Sequence, residues 1–219
     1  MPRSSEETTV WVAGNIAQMK GVAGTHVTSP NTFRVIRNEF PPFEVAVFSA
    51  SEATAAILDP LLTVYPHVAF AVNVPKDSRW TKSGISSARE HGVAFGGIGE
   101  LMSAISHKLE DVREYKKKEN EFVERGLRQH DRVTYVEQEF DRVYQIYRSG
   151  LKTLRIVLLN EYELTAEHVR TALEKYGWFD IVLMTNPNGS PTSIAEQVAR
   201  GMGIQILMWR QFLGRLNSE

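Results

Sequence analysis

The stretch Val143-Tyr-Gln-Ile-Tyr-Arg148, followed after a short connection by Leu154-Arg-Ile-Val-Leu-Leu159, decides the fold. Both runs are rich in β-branched, aromatic and aliphatic residues, which favour extended backbone. The connection at 148–152 contains a glycine, Gly150, between the two runs. This pattern predicts two antiparallel strands joined as a hairpin.

Helix and strand patterns alternate after the hairpin. Thr165 is placed to cap a helix, because its hydroxyl can accept an otherwise unsatisfied backbone N–H. The nearly continuous apolar run at 179–184 predicts a strand covered on both faces. Ser193-Ile-Ala-Glu196 has the capping-box pattern that opens a helix, and Gly203 supplies the left-handed residue that ends it. A last strand and a last helix follow.

A helix and a strand are also predicted before the hairpin. Residues 119–130 are typical of a helix with Phe122, Val123 and Leu127 at helical spacing, and 133–137 of a short strand. The predicted order is therefore α-β-β-β-α-β-α-β-α. A hairpin followed by right-handed β-α-β crossovers gives a mixed sheet flanked by helices, which is an α/β fold.

The same pattern occurs 111 positions earlier in the chain. Thr32-Phe-Arg-Val-Ile-Arg37 matches 143–148, Glu44-Val-Ala-Val-Phe48 matches 155–159, and no gap is needed from 32 to 105. Identities are few, and two α/β segments can share their periodicity by chance. The gapless match and a length of 219 residues, close to twice the offset, favour an internal duplication.

The duplication sets the expected domain organisation. We expect a first α/β repeat at 1–108 and a second at 109–219, with the boundary in the charged stretch 106–120. The two copies are expected to pack as an intramolecular pseudo-dimer. Pro60 falls inside the first long helix of the first copy, where it should kink or break that helix.

The element order resembles the core of restriction-endonuclease-like nucleases, and the last third of each copy resembles the end of an Mrr-type nuclease domain. In that type an apolar strand ends in a loop rich in Thr, Ser and Asn. A helix with small residues on one face follows, then glycine, a short strand and a closing helix. The matching segments are 68–93 and 181–204. The resemblance implies a tandem duplication of a restriction-endonuclease-like α-β-β-β-α-β domain, a mixed sheet flanked by helices.

The resemblance also implies where a catalytic site would lie. The family uses a PD dipeptide entering the hairpin and a (D/E)-x-K triplet on its second strand, whose carboxylates hold Mg²⁺ or Mn²⁺ while the lysine orients the nucleophile. Pro30-Asn31 and Glu44-Val45-Ala46 stand at these places in the first copy, and Asp141-Arg142 and Arg155-Ile156-Val157 in the second. Neither set is complete, so the resemblance implies a nuclease-like fold that does not cut, with Asn31 and Glu44 as the remaining catalytic candidates.

Three further carboxylates are candidate metal ligands. Glu137, Glu139 and Asp141 alternate along an extended segment, so on a strand they would point to one face and could hold Mg²⁺ together. A solvated strand edge, where charge discourages aggregation, explains the same pattern. The sequence leaves both interpretations open.

Two loops that follow buried strands are candidate ligand sites, because ligands of open α/β sheets collect at the carboxyl ends of strands. The loop at 186–192 enters a helix, where backbone N–H groups suit phosphate, although Asn188-Gly189 also forms a turn for local reasons. The matching loop of the first copy combines cations with an aromatic ring, which suits phosphate and base stacking. The candidate ligand-binding residues are Lys76, Arg79, Trp80, Asn186, Asn188, Gly189, Ser190 and Thr192.

Composition excludes several function classes, and others lack the motifs that usually support them. The chain has no cysteine, so disulfides, thiolate nucleophiles and Cys-ligated zinc are excluded. A net charge of −1 gives no global attraction to nucleic acid or anionic lipid. H-E-x-x-H, G-x-S-x-G, Walker A and G-x-G-x-x-G motifs are absent, and Gly96-Gly97-Ile-Gly99 has the wrong spacing for the last of these. Trp11, Trp178 and Trp209 lie in apolar contexts typical of a core.

The sequence supports three functional hypotheses. The first is a nucleic-acid-associated, nuclease-like protein with degenerate metal sites that acts by binding DNA or RNA. The second is an active Mg²⁺- or Mn²⁺-dependent endonuclease with relocated carboxylates, and no other cofactor is expected. The third is a regulatory module that binds a phosphorylated small ligand or a partner protein. We expect a cytoplasmic protein without a signal peptide or membrane association, able to form a homo-oligomer.

Overall fold

The computed structural model describes residues 4–218, which divide into a compact unit ending at Lys117 and a second beginning at Lys118. Each unit is an α/β structure built on a mixed sheet of five strands flanked by helices. This confirms the general α/β class with mixed sheets flanked by helices. Within the described residues, no helix has the length and apolar character needed to cross a bilayer.

The first unit follows the predicted order of elements. Its helices are α1 (Ser5–Ala17), α2 (Ala55–Val64), α3 (Lys82–Glu90) and α4 (Ile98–Ser106). Its strands are β1 (Val22–Ser29), β2 (Thr32–Arg37), β3 (Phe43–Phe48), β4 (Glu52–Ala53), β5 (Val68–Asn73), β6 (Arg79–Trp80) and β7 (Ala94–Gly96). A short 3₁₀ helix, Val112–Glu114, follows α4.

The second unit repeats this arrangement. Its helices are α5 (Lys118–Arg128), α6 (Ala166–Tyr176), α7 (Ser193–Gly201) and α8 (Trp209–Arg215). Its strands are β8 (Val133–Phe140), β9 (Val143–Arg148), β10 (Leu151–Leu159), β11 (Glu163–Leu164), β12 (Ile181–Met184), β13 (Ser190–Pro191) and β14 (Gln205–Met208). The two units are therefore similar sheet-and-helix halves.

The strand order is the same in both large sheets. It runs β1-β2-β3-β5-β7 in the first unit and β8-β9-β10-β12-β14 in the second. The first three strands of each sheet are antiparallel neighbours, and the remaining pairs are parallel. The predicted hairpins and β-α-β crossovers account for this mixed sheet.

Each sheet is the middle of three layers. Along β3, Val45 and Val47 pack with α1 and α4 residues, while Ala46 and Phe48 pack with α2 and α3 residues. Successive side chains of a strand point to opposite faces, so a strand covered on both sides is apolar throughout. This explains why β5 is buried along its whole length.

Most equivalent elements of the two halves begin 111 positions apart, although β3 and β10 begin 108 apart and β5 and β12 begin 113 apart. The strands β2 and β9 begin at Thr32 and Val143, and the helices α3 and α7 at Lys82 and Ser193, each 111 positions apart. Short parallel pairs, β4 with β6 and β11 with β13, also occupy matching places. The interval found in the sequence is thus the interval between equivalent elements of the structure.

The signals that begin and end helices are mostly confirmed. Thr165 caps α6, with its Oγ1 accepting the His168 N–H at 3.4 Å, and Gly203 has a left-handed φ of +73° beyond α7. The cap of α7 is Thr192 instead of Ser193, since the Thr192 hydroxyl accepts the Ala195 N–H at 3.1 Å. The helix α2 continues through Pro60, so the expected break does not occur.

The interpretation of two tryptophans as core residues is wrong. Trp11 is 40% exposed and Trp178 is 55% exposed, while Trp209 is half-buried. Phe122 is 47% exposed although Val123 and Leu127 are fully buried. Phe122 points about 100° away from Val123 and about 140° away from Leu127 around α5, so it lies off the side of the helix on which both are buried.

The chain divides between Lys117 and Lys118, which lies within the charged stretch 106–120 expected to hold the boundary but after the expected bounds of 108 and 109. Residues after α4 stay with the first unit because Val112 is buried in its core and the Tyr115 ring lies 6.0 Å from that of Phe70. The Arg37 guanidinium adds hydrogen bonds to the Leu109 and Glu110 carbonyls.

Candidate functional site

The hairpin of the first unit separates Asn31 and Glu44, the two catalytic candidates. Asn31 faces Val47, with its carbonyl accepting the Val47 N–H at 2.7 Å and its Nδ2 donating to the Val47 carbonyl at 3.2 Å. Glu44 lies three residues earlier on β3, paired with Arg34 of β2. Three strand residues span about 10 Å, so these two side chains do not form one metal site.

Both carboxylate oxygens of Glu44 are engaged within the sheet. Oε1 accepts from Arg34 Nε at 2.8 Å, and Oε2 accepts from the Thr28 hydroxyl at 3.1 Å. The three side chains come from the adjacent strands β1, β2 and β3. Glu44 therefore acts as the acidic member of a cross-strand polar cluster.

The second unit has a matching cluster in which the charges are rearranged. Glu139 of β8 accepts from Arg155 Nε of β10 at 2.5 Å and from the Gln145 amide of β9. The first cluster is Thr28, Arg34 and Glu44, and the second, 111 positions later, is Glu139, Gln145 and Arg155. The carboxylate lies on the third strand in the first cluster and on the first strand in the second cluster. In the second cluster the residue on the third strand is an arginine. Both carboxylates are held by a cation, which explains their residue type without a metal.

The three candidate metal ligands of the second unit do not form a regular row. The pairing of β8 with β9 has an irregularity between Gln138 and Phe140, and Asp141 lies beyond the end of β8. This breaks the alternation that would place Glu137, Glu139 and Asp141 on one face. Among residues 4–218, no group of three His, Asp or Glu side chains is arranged to hold a metal ion.

The first helix of each unit is hydrogen-bonded to the turn between the first two strands of the sheet, β1 and β2 or β8 and β9. In the first unit the Thr9 hydroxyl donates to the Pro30 carbonyl at 2.7 Å. In the second, the Asn120 amide donates to the Asp141 carbonyl at 2.8 Å. These matching bonds hold the turns in which Pro30 and Asp141 lie. The Asp141 carbonyl is therefore a hydrogen-bond acceptor for the first helix of its unit.

The loop at 186–192 forms a turn whose backbone N–H groups are already used. Gly189 N–H bonds the Asn186 carbonyl, Asn188 N–H bonds Asn186 Oδ1, Ser190 N–H bonds the Tyr162 carbonyl, and Thr192 N–H bonds the Leu164 carbonyl. A Cβ on Gly189 would lie 2.3 Å from the Glu161 carbonyl oxygen, so the chain needs glycine there. These contacts support the turn interpretation and leave a phosphate few donors.

The matching loop of the first unit does not form a stacking platform. Trp80 is only 4% exposed, with its ring 5.7 Å from that of Phe48 and 4.7 Å from that of Phe95. The proposed stacking of a base on Trp80 is therefore wrong. Arg79 forms an ion pair with Glu52, and Lys76 is exposed in the loop.

A groove of about 400 Å³ lies within the second unit, at a place that the sequence analysis did not single out. Side chains of α5, the residues just after it and α8 form its walls. The lining residues are Phe122, Arg125, Gly126, Gln129, His130, Trp209 and Leu213. A volume of this size is in the range of small-ligand sites.

Two aromatic rings and a glycine define the apolar part of this groove. The Phe122 and Trp209 rings lie 4.9 Å apart, tilted by 53°. A Cβ on Gly126 would lie 2.4 Å from Trp209 Cζ2, so the indole ring packs directly on the backbone of α5. Because Gly126 has no side chain, Trp209 can lie beside Phe122.

Apart from Leu213, the rest of the lining is cationic or hydrogen-bonding. Arg125 and Gln129 are exposed, and His130 Nδ1 accepts the Arg132 N–H at 3.3 Å. In the neutral ring the hydrogen therefore lies on Nε2, where it can be donated. None of the seven lining residues is acidic.

The sequence contained a signal for this groove. Lys118, Phe122, Arg125 and Gln129 recur at intervals of four, three and four residues, so they lie on one face of α5. A single aromatic residue in an otherwise polar row is unusual for a solvated helix face. The signal was missed because Phe122 was grouped with Val123 and Leu127.

Comparison with known proteins identifies no relative. No protein-family model matches the chain, and no curated protein or solved structure matches it. The function must therefore be argued from the residues and geometry described above.

Proposed function

We propose that the protein is a nuclease-like α/β protein that associates with nucleic acid by binding, without metal-dependent cleavage. The observation that carries this proposal is the use of Glu44 and Glu139 in cross-strand clusters with Arg34 and Arg155. A carboxylate already neutralised by an arginine is a poor ligand for a divalent cation, because the two cations compete for the same oxygens. Glu44 and Arg155, which stand where the resemblance places the first residue of the triplet, are thus both engaged in ion pairs within the sheets.

The association with nucleic acid is supported by the order of elements. Both halves have the α-β-β-β-α-β order and the mixed sheet that the resemblance to restriction-endonuclease-like nucleases implies. We also propose that the halves arose by duplication, which is supported by element bounds 111 positions apart and by matching bonds such as Thr9 to Pro30 and Asn120 to Asp141. A protein that has lost catalysis but still binds nucleic acid would keep this architecture.

A cleavage and mobility assay on one gel tests the proposed function. The full chain is incubated with supercoiled plasmid and, separately, with a labelled single strand, in Mn²⁺ or in EDTA at low salt, where phosphate contacts are strongest. We expect intact plasmid in every lane and retarded migration of at least one nucleic acid. Nicking that EDTA abolishes and Glu44→Ala removes would overturn the proposal in favour of an active endonuclease. If the nucleic acid migrates unshifted in all lanes, the proposed association with nucleic acid is refuted.

A further inference from the structure

The groove between α5 and α8 has the chemistry of a nucleotide site. We propose that it binds an unpaired nucleotide of a single-stranded nucleic acid, with the base stacked on Phe122 and the phosphate held by Arg125. This inference rests on the proposed function and assigns it to residues of α5, α8 and the segment just after α5, none of which occupies a motif position. It is carried by the combination of exposed aromatic surface, cationic and amide side chains, and the lack of acid in the lining.

Phe122 supplies the stacking surface. Nearly half of its side chain is open to solvent, while the other side is held against Trp209. Trp209 is in turn fixed by Gly126 and by the Phe212 ring at 5.9 Å. A ring fixed from behind loses little conformational entropy when a base stacks on it, and base–aromatic stacking tolerates any base.

Charge along α5 orients the nucleotide. Lys118 and Arg125 are seven residues apart on the face that carries Phe122, which separates their backbone positions by about 10 Å along the helix axis. The cationic side chains of Lys118 and Arg125 attract the phosphates, while Gln129 and His130 can donate and accept hydrogen bonds at the edge of the base.

The matching surface of the first unit lacks this combination. The positions that correspond to Phe122, Arg125, Gly126 and Trp209 are Trp11, Gly14, Asn15 and Ile98. The exposed aromatic residue is retained, but the arginine and the tryptophan are not. The inference therefore assigns the site to the second half alone.

Fluorescence anisotropy with a labelled eight-nucleotide oligo(dT) strand tests the site in the full chain. We expect Phe122→Ala to weaken binding about tenfold, because stacking on one ring contributes on that scale. Phe122→Trp should restore most of the affinity, which separates loss of stacking from loss of fold. Arg125→Ala should also weaken binding and reduce the slope of log K against log salt by about 0.7, the value for one phosphate contact on a single strand.

Two variants serve as matched controls. Trp178→Ala removes another exposed aromatic residue of the second unit, and Arg128→Ala removes an arginine of α5 that is paired with Glu124. Both should bind the strand within about twofold of the original protein. An abasic strand of the same length should bind more weakly than oligo(dT). Its affinity for Phe122→Ala should equal its affinity for the original protein.

The outcomes separate this inference from the proposed function. If the strand binds but Phe122→Ala and Arg125→Ala behave like the controls, the association stands and the groove is not its site. If the abasic strand binds as well as oligo(dT), stacking is excluded and the inference fails. If no nucleic acid binds, the proposed function fails together with it.

Discussion

Arg37 and Arg148 hold the same position in the two units. Each is the last residue of the second strand of its sheet, each is buried, and each donates to main-chain oxygens beyond the last strand. Arg37 bonds the carbonyls of Leu109 at 2.6 Å and Glu110 at 2.8 Å. Burial lowers the pKa of the Arg37 guanidinium, and the charge of Asp111 partly offsets this.

The Arg148 guanidinium joins two distant parts of the second unit. It donates to the Lys152 carbonyl beside the hairpin and to the carbonyls of Arg215, Leu216 and Ser218 at the end of α8. Carbonyls at a helix end have no partner within the helix and attract a cation. The arginine thereby holds the last helix against the hairpin.

Removing the Arg148 guanidinium should destabilise the protein. We expect Arg148→Met to lower the free energy of unfolding by about 2–4 kcal/mol, because several carbonyls lose a charged donor together. Urea unfolding followed by circular dichroism measures the change. Arg170→Met is the matched control, since Arg170 forms only an exposed pair with Glu167 at 3.7 Å, and it should cost less than about 0.5 kcal/mol. Equal costs for the two variants would contradict the role given to Arg148.

The cross-strand cluster of the second unit should show measurable coupling. Glu139 and Arg155 are both largely shielded from solvent, with side chains 21% exposed, and their contact is charge-assisted. A double-mutant cycle of Glu139→Gln and Arg155→Met should give a coupling energy of about 1–2 kcal/mol. The same cycle on Glu124 and Arg128, where the arginine is 70% exposed, should give less than about 0.5 kcal/mol. A larger value for the exposed pair would refute the assignment of Glu139 to a structural role.

The local signals in the sequence were sufficient to predict the element order. Hairpin runs, apolar strands and a Thr or Gly at helix ends depend on neighbouring residues, and the structure retains them at 143–148, Thr165 and Gly203. The mixed sheet followed because a hairpin and right-handed β-α-β crossovers leave few alternatives. Interactions between residues close in the sequence determine these features.

The candidate sites were less predictable because they depend on contacts between distant residues. Glu44 could not be assigned to a cluster without knowing that Thr28 and Arg34 lie beside it. Trp80 follows a polar stretch of sequence, but in β6 it is covered by Phe48 of β3 and Phe95 of β7. The groove requires α8 to lie against Gly126, a packing contact that periodicity within α5 does not encode.

Glu100 gives the first unit a dependence of stability on pH. Burial alone would raise the pKa of this carboxyl, but the charge of Lys117 at 3.4 Å and the Gly97 N–H at 3.0 Å outweigh burial and hold it below its ordinary value of 4.5. The unfolded chain therefore takes up the proton first as the pH falls. The stability contributed by the carboxylate is complete above about pH 4.5 and is lost as the pH falls through the folded-state pKa.

Thermal melting of the original protein and of Glu100→Gln between pH 7 and pH 3 measures this contribution. Gln keeps the hydrogen bond to Gly97 but not the charge, so the original protein should melt higher at pH 7 and the difference should shrink below about pH 4.5. Lys117→Met should reduce the difference by raising the carboxyl pKa toward its ordinary value. A difference that is constant with pH would show that the pKa is not lowered by folding.

Gly84 and Gly14 should respond in opposite directions to the same substitution. A Cβ on Gly84 would lie 2.2 Å from the Ala53 carbonyl oxygen and 2.8 Å from its carbon, backbone atoms that cannot rotate away. Gly84→Ala should therefore cost about 1–3 kcal/mol through overpacking of α3 against β4. A Cβ on Gly14 in α1 meets no atom within 4 Å, so Gly14→Ala should gain about 0.5–1 kcal/mol from helix propensity. Chemical denaturation of both variants measures the two changes in the free energy of unfolding. An unchanged value for Gly84→Ala would mean that α3 can move away from β4 without losing stability.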